Sequence, residues 1–535
     1  MSRARFIRAG ILLTFLIVVI QSAWAVSMPG FRGPDEPHHV NSVMRIAGGG
    51  GWPAPGEAML DPAIHTAGRE AGLLRVGEAP FTSTYRTTLL NPRVAGFPFS
   101  RIGITPHEDR TSIAQTGFDE SDAVEVDQMT QHPPLYYAGG ALVVNALDLE
   151  DEPWDRVLLA LRLYGIALTI PLVPATIYTA RRLGASRHWS LAAGFLPLAI
   201  PQLFGITAVV TNDSLAIGTG ALVIAALAKA ATEKITWKTV SLVGGSLGLA
   251  LWSKGLVLAL GLPLILVFLL AKNETWRTRI LAALASGIMA LAIGWWWIHN
   301  IIRYGVLQPA GYSRPAPEGW DGSDAQIFDY GLHAFRTFTR SFFSSFGWLD
   351  VNFPGLITIL LLTLFIGATV WSVARAGQTR TMYLVLLSPF IGLLVLLYVQ
   401  GWLNHLATAA VAGVQGRYLY PTLAAFGGIV LGLRVFGRRG YRVFGIFTIA
   451  TGMIGFAWLL RHAYPGGSWI NFDRLAYVAG LPTALIALLF AAYLAANAVL
   501  VWLVFRWSAG AHLPAEPQQA HVGAEVEIAD APAGR

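Results

Sequence analysis

The stretch that decides how this chain is read is "GFRGPDEPHHVN", Gly30 to Asn41, which follows an apolar run from Ala9 to about Met28. A run of about 20 apolar residues is long enough to cross a bilayer. Asp35, Glu36, His38 and His39 therefore stand just where the chain leaves the lipid. Pro34 favours a turn, and Asp35 occupies the N-cap position of a short helix, "EPHHVNSVMRIA", whose spacing brings Asp35 near His39. Two readings of the acidic pair stand side by side: Asp35 is a helix cap at a membrane surface, or Asp35 or Glu36 takes a proton from a bound hydroxyl. A zinc site from Asp35, His38 and His39 is a third, weakened because adjacent residues seldom converge on one ion and no familiar metal spacing accompanies them.

Composition fixes the class of protein around that stretch. Of 535 residues 54% are hydrophobic and only 13% charged, and several apolar stretches run to 18 residues or more, so the expectation is an all-α polytopic membrane protein. The absence of cysteine removes disulfides, thiolate nucleophiles and cysteine-held metals, leaving oxygen and nitrogen groups for any catalysis. A net charge of +7 would invite nucleic acid in a soluble protein, but here the basic residues cluster beside apolar runs, where membrane orientation accounts for them. The basic start and the Ala-Trp-Ala at 23–25 imitate a signal peptide, and the first helix is read as retained.

Further apolar segments run over about 157–180, 189–205, 213–230, 238–252, 255–270, 278–298, 352–373, 382–400, 417–433, 443–460 and 476–505, which with the first makes about 12 spans. With the N-terminus inside, every second junction carries a basic cluster: Arg181, Arg182 and Arg187; Lys229, Lys234 and Lys238; Lys272, Arg277 and Arg279; Arg375 and Arg380; Arg434, Arg438, Arg439 and Arg442. Both termini are thereby expected in the cytoplasm, with residues 1–506 forming one transmembrane domain and 507–535 a flexible tail. Two long segments, 29–133 and 299–350, fall on the other side and exceed what a connector needs. Leu135–Leu147, after Pro133 and Pro134, is short for a span and is read as an interfacial or re-entrant element. No internal repeat is visible, which weighs against a secondary transporter.

Several basic residues on that outer side suit an anion: His132, Lys254, Arg303, Arg340 and Arg417, the last flanked by Gly416 and Tyr418. Arginine grips phosphate through a planar fork and lysine as a point charge, while snorkelling to the interface is the plainer account, favoured for Arg336. Asn212 and Asp213 fall in a short outer turn, where Asp213 caps the following helix or meets sugar hydroxyls or a cation. Arg162 is a snorkelling residue or an inward anchor for the first outer segment. Trp295, Trp296 and Trp297 form an interface belt first and a stacking surface second.

In order along the chain, "PDEPHHV", "HPPLYY", "TND", "GWWWIHNIIRYG", "SFFSSFGW" and "QGRYLYP" resemble the multi-span GT-C glycosyltransferases, closest to a bacterial membrane family with Phe-Gly-Trp and Gly-Arg-Tyr-Leu-x-Pro elements. The resemblance implies a GT-C-like bundle, a sugar donor carried on polyprenyl phosphate, and transfer to a glycan, lipid or protein acceptor on the non-cytoplasmic face of the cytoplasmic membrane. Carried over by position, Asp35 and Glu36 are the acidic pair, Pro133 and Pro134 the Pro-Pro element, and Arg417 the basic residue of the Gly-Arg-Tyr element, with Tyr418 beside it. His39, His132, Arg162, Asn212, Asp213, Lys254, Arg303 and Arg340 complete the candidate substrate-binding set; any divalent cation is open. Where related transferases often place Lys before Pro-Pro-Leu, this chain has His132, only partly charged near neutrality. A lipid-linked glycan transporter or polymerase, or a nonenzymatic glycan-assembly protein, is the rival reading.

Overall fold

A computed structural model of the chain describes residues 1–73, 104–114, 126–271, 274–311, 316–464 and 471–511. The protein is a helical, multi-pass membrane bundle, with one two-stranded antiparallel hairpin, Ser345–Phe346 against Val351–Asn352. Eight helical stretches among the described residues are long and apolar enough to cross a bilayer, or nine if the bent pair Arg187–Ala199 and Pro201–Thr207 is one span. That is fewer than the twelve apolar segments of the sequence, for three local reasons. Trp237–Leu251 and Gly255–Leu269 are apolar but shorter than a full crossing. The stretch 189–205 contains Pro197 and Pro201, which cannot donate to a helical ladder, and the chain turns by 70° there. Segments 417–433 and 443–460 run together as one helical stretch, Gly416–Ala463, in which Gly437 breaks the regular backbone at φ +53°. At 1.5 Å per residue a stretch of 48 residues is about 70 Å long, more than one crossing needs.

The basic junctions meet at one end of the bundle. Arg182 pairs with Glu233 at 2.5 Å, the amide of Ile235 reaches Glu274, and the hydroxyl of Thr379 reaches the carbonyl of Leu183. Arg442 donates to Ser508, His188 meets the carbonyl of Trp507, and Arg187 donates to the carbonyl of Met1. One contact network thus gathers all five junctions and both ends of the described chain, as the alternating charge pattern requires. The helix Asp213–Ala230, 18 residues and about 27 Å long, carries Asp213 to the opposite end. Close packing makes that helix a central strut: a side chain at Gly220 would strike the backbone of Pro421, so only glycine permits the approach.

At the Asp213 end the segment that follows the first helix shares a second core with the helices beside it. Phe31, Val40, Val43, Leu60, Ile64 and Met129 are buried against Tyr136, Tyr137, Trp154, Leu161 and Val210. The helix Leu135–Ala146, about 18 Å long, is too short to cross and serves as the floor of this core through its two buried tyrosines. The C-terminal helix extends to Ser508, two residues beyond the boundary expected at 506, and residues 512–535 of the expected tail lie outside the described residues.

Candidate active site

The turn Gly33–Glu36 leads into the helix Glu36–Ala47, and Asp35 sits at its N-cap position with φ +58°, in the left-handed region. In that conformation its side chain makes no cap hydrogen bond, which corrects the helix-cap reading. Its carboxylate turns instead to Gln128, whose Nε2 lies 3.4 Å from Oδ1, and to Arg417, whose Nη2 lies 3.8 Å from Oδ2. The other guanidinium arm, Nη1, is 3.5 Å from Oδ2 of Asp213. Asp213 Oδ1 in turn accepts from Lys254 Nζ at 2.7 Å. A continuous chain results, Asp35–Arg417–Asp213–Lys254, with the Tyr418 ring beneath both cations at 5.2 Å from Arg417 and 4.7 Å from Lys254.

Exposure separates the four. The side chains of Arg417, Asp213 and Lys254 are 3%, 6% and 13% exposed, while that of Asp35 is 35% exposed, so Asp35 is the member open to an incoming molecule. Several buried polar atoms around the chain make no hydrogen bond within the protein: Nε of Arg417, Oδ1 of Asn212, Nδ1 of His132 and Oε1 of Gln415. Such atoms are costly unless a polar ligand or solvent meets them. Asn212 itself is buried and donates to the carbonyl of Ser253.

Local hydrogen bonds hold the elements in place. The Tyr136 hydroxyl accepts from the amide of Thr211, fixing the turn that carries Asp213. The amide of Gly416 donates to Ser341 and the Tyr420 hydroxyl to the carbonyl of Phe342, so the Gly-Arg-Tyr element is pinned to the helix Ile327–Phe343. The Phe-Gly-Trp element belongs to the hairpin after that helix, and its Trp348 indole donates to the carbonyl of Phe31, four residues before Asp35.

The other candidates fall in different places. Glu36 is fully buried and salt-bridged to Arg162, and its two oxygens accept four hydrogen bonds, so it does not face an acceptor. Arg162 uses its five N–H donors on Glu36 and on the carbonyls of Ala25, Met28 and Pro29. It is the inward anchor of the first outer segment, and no donor remains for a substrate. His39 lies one helical turn after Asp35, stacks on Tyr137 and shares a 3.0 Å hydrogen bond with its hydroxyl. Burial first, then the cations Lys254 and Arg417, hold its imidazole well below its ordinary value. His132 is buried, and burial with Lys254 lowers it to about 3, so it is neutral near pH 7 and offers no charge to an anion. Arg303 and Arg340 are exposed and make no ion pair among the described residues; Arg303 lies over the Tyr304 ring. That matches snorkelling better than an anion site.

Asp127 was not singled out from the sequence, yet it is buried and accepts from Asn41 and Ser42 at 2.7 Å, tying the helix of the acidic pair to the segment before His132. Its position ahead of "QMTQHPP" as the cap of a short 3-10 turn was the one available signal. Among the described residues no group of three His, Asp or Glu side chains is placed to hold a metal ion. The zinc set Asp35, His38 and His39 is not gathered into such a group, and each carboxylate of the site chain faces a cation.

The chain belongs to the family described as predicted membrane protein DUF2142, whose model matches residues 16–426. No curated protein matches it. Among solved structures it is similar to ArnT from Cupriavidus metallidurans bound to undecaprenyl phosphate, at 16% identity over 94% of this chain and 76% of that one, with a TM-score of 0.46. The same protein in its apo state gives 15% identity over 93% and 75% and a TM-score of 0.47. The Archaeoglobus fulgidus oligosaccharyltransferase in its apo form is 10% identical over 94% of this chain and 56% of that chain, with a TM-score of 0.42.

Proposed function

We propose that this protein is a GT-C-type glycosyltransferase that moves a sugar from a polyprenyl-phosphate donor to a hydroxyl of a glycan, lipid or protein acceptor. The reaction takes place on the non-cytoplasmic face of the bacterial cytoplasmic membrane, with both termini in the cytoplasm. The observation that carries the reading is the chain Asp35–Arg417–Asp213–Lys254, one accessible carboxylate joined to two nearly buried cations at the end of the bundle away from the basic junctions.

Asp35 accepts the proton as the acceptor oxygen bonds to the anomeric carbon of the sugar. The bond from that carbon to the phosphate oxygen breaks, and its electron pair leaves with the phosphate. Arg417 and Lys254, held apart from bulk water, neutralise the charge that gathers there. Asp213 keeps both cations in place while no anion is bound. The polyprenyl tail has room in an apolar cavity of about 710 Å³ lined by Phe338, Phe342, Phe365, Phe390 and Phe426, two of which belong to the helix that pins Gly416. Membrane lipids occupy it otherwise.

The test is purified protein in liposomes with a polyprenyl-phosphate sugar and candidate acceptors. A new glycosidic product with stoichiometric release of polyprenyl phosphate supports the reading. Passage of the intact lipid across the bilayer without bond formation would replace it with a transporter.

A further inference from the structure

Glu36 stands next to the base in sequence and is excluded from the acceptor by burial, yet its contacts are unusual in what they join. Oε2 accepts from the amide of Gly33 at 3.1 Å and from Arg162 Nη2 at 2.9 Å. Oε1 accepts from Arg162 Nε at 2.9 Å and from the amide of Val210 at 2.9 Å. Gly33 lies two residues before Asp35, and Val210 three before Asp213. A single buried carboxylate therefore bridges the turn that carries the base and the turn that carries the counterion of both cations. The two turns also touch directly: a side chain at Gly33 would come within 2.6 Å of Cβ of Val209. Arg162 ties the bridge to the end of the first spanning helix through the carbonyls of Ala25 and Met28.

The direct link between Asp35 and Arg417 is loose, at 3.8 Å, and cannot by itself fix their separation. The backbone at Asp35 is left-handed, a conformation uncommon outside glycine although aspartate tolerates it better than most residues. From these contacts we infer that Glu36 is a positioning residue, which acts through Asp35 by setting the distance between the base and the Arg417–Lys254 cation pair. The inference rests on the glycosyl-transfer reading only for its kinetic consequence. Its geometric content stands apart from any activity.

Glu36→Gln keeps the shape of the side chain but turns an N–H₂ group toward donors, breaking two of the four accepted bonds. Turnover should fall about 10²-fold, the cost of a displacement near 1 Å, with the donor KM changed less than about threefold. In an Asp35→Asn background the same change should cost less than about threefold, because the group it positions is already disabled. Equal losses in both backgrounds would overturn the inference, since a general structural role acts whether or not Asp35 is present. Gly33→Ala, which crowds Val209 while leaving Glu36 intact, is the second variant; it should reproduce the turnover loss, and normal turnover would count against the bridge. A cryo-EM structure of either variant supplies a readout without catalysis. Asp35 should move from Arg417 while the Lys254–Asp213 pair is kept, and an unchanged Asp35–Arg417 separation would refute the inference. Failure of the wild type to form a product would sink the transferase reading alone, and that structural comparison would still decide the role of Glu36.

Discussion

The two long segments, 29–133 and 299–350, place the charges of their described residues in opposite ways. The first buries Glu36, His39, Asp127 and His132, each meeting a partner on another element or held neutral, and leaves Asp35 partly open against Arg417. The second contributes the hairpin that braces Phe31 with Trp348, while its Arg303 and Arg340 stay in contact with solvent or headgroups. A charge in a poorly polarisable setting demands a specific partner, and that demand fixes geometry; a charge at the surface demands nothing and fixes little. The difference explains why only the first of the two long segments contributes a residue, Asp35, to the Asp35–Arg417 chain.

The largest effect expected within the first region is at Asp35. Asp35→Asn should reduce transfer about 10³-fold, the usual worth of a general base, with donor phosphate affinity kept within about threefold. Product formation and lipid-phosphate binding measured on the same preparation check this, and near-normal turnover would remove Asp35 as the base. Next comes Arg417, buried where it meets the two carboxylates. Arg417→Ala should weaken polyprenyl-phosphate binding about 30-fold, and Arg417→Lys less, because the charge is kept while the fork is lost. Identical affinities for wild type and the alanine variant would break the contrast between buried and exposed arginines.

A third effect is pH-dependent and separates buried from exposed histidine. The His132 imidazole titrates near 6.5 when unfolded and near 3 in the folded protein, so between those values the unfolded chain binds more protons. Its contribution to stability is present above about 6.5 and is lost progressively as the pH falls toward about 3. Melting midpoints between pH 4 and 8 should decline toward acid in wild type and less steeply in His132→Gln; parallel curves would show that His132 is not the titrating group. The smallest effect is expected in the second outer segment. Arg303→Ala and Arg340→Ala should each leave turnover within about twofold and stability within about 0.5 kcal/mol. A loss approaching that of Arg417→Ala would place those residues in the donor path.

Much of this was legible without coordinates. Apolar length and alternating basic clusters set the membrane class, the order of the helices and the end at which the candidate site lies, because lipid imposes the same demand on every crossing segment. Hydropathy counted more apolar segments than there are long continuous helices among the described residues, because it registers apolar composition and not helix continuity, as Pro197, Pro201 and the short helix Trp237–Leu251 illustrate. Asp35, Asp213, Lys254 and Arg417 were each visible as polar groups beside spans, and the sequence could not say that they touch. Asp127 carried almost no local signal at all.

What the sequence determined by itself is therefore a helical bundle in lipid, with a polar end opposite the basic junctions, no thiol chemistry and a short roster of charged candidates. Only the tertiary structure divided Asp35 from Glu36, adjacent residues of the same chemistry. A left-handed backbone turns Asp35 toward Arg417 and the open side, while the next residue points inward to Arg162, Gly33 and Val210. Their partners lie more than 100 residues away along the chain at Arg162, Val210 and Arg417, and no local pattern specifies which of two neighbouring carboxylates each will meet.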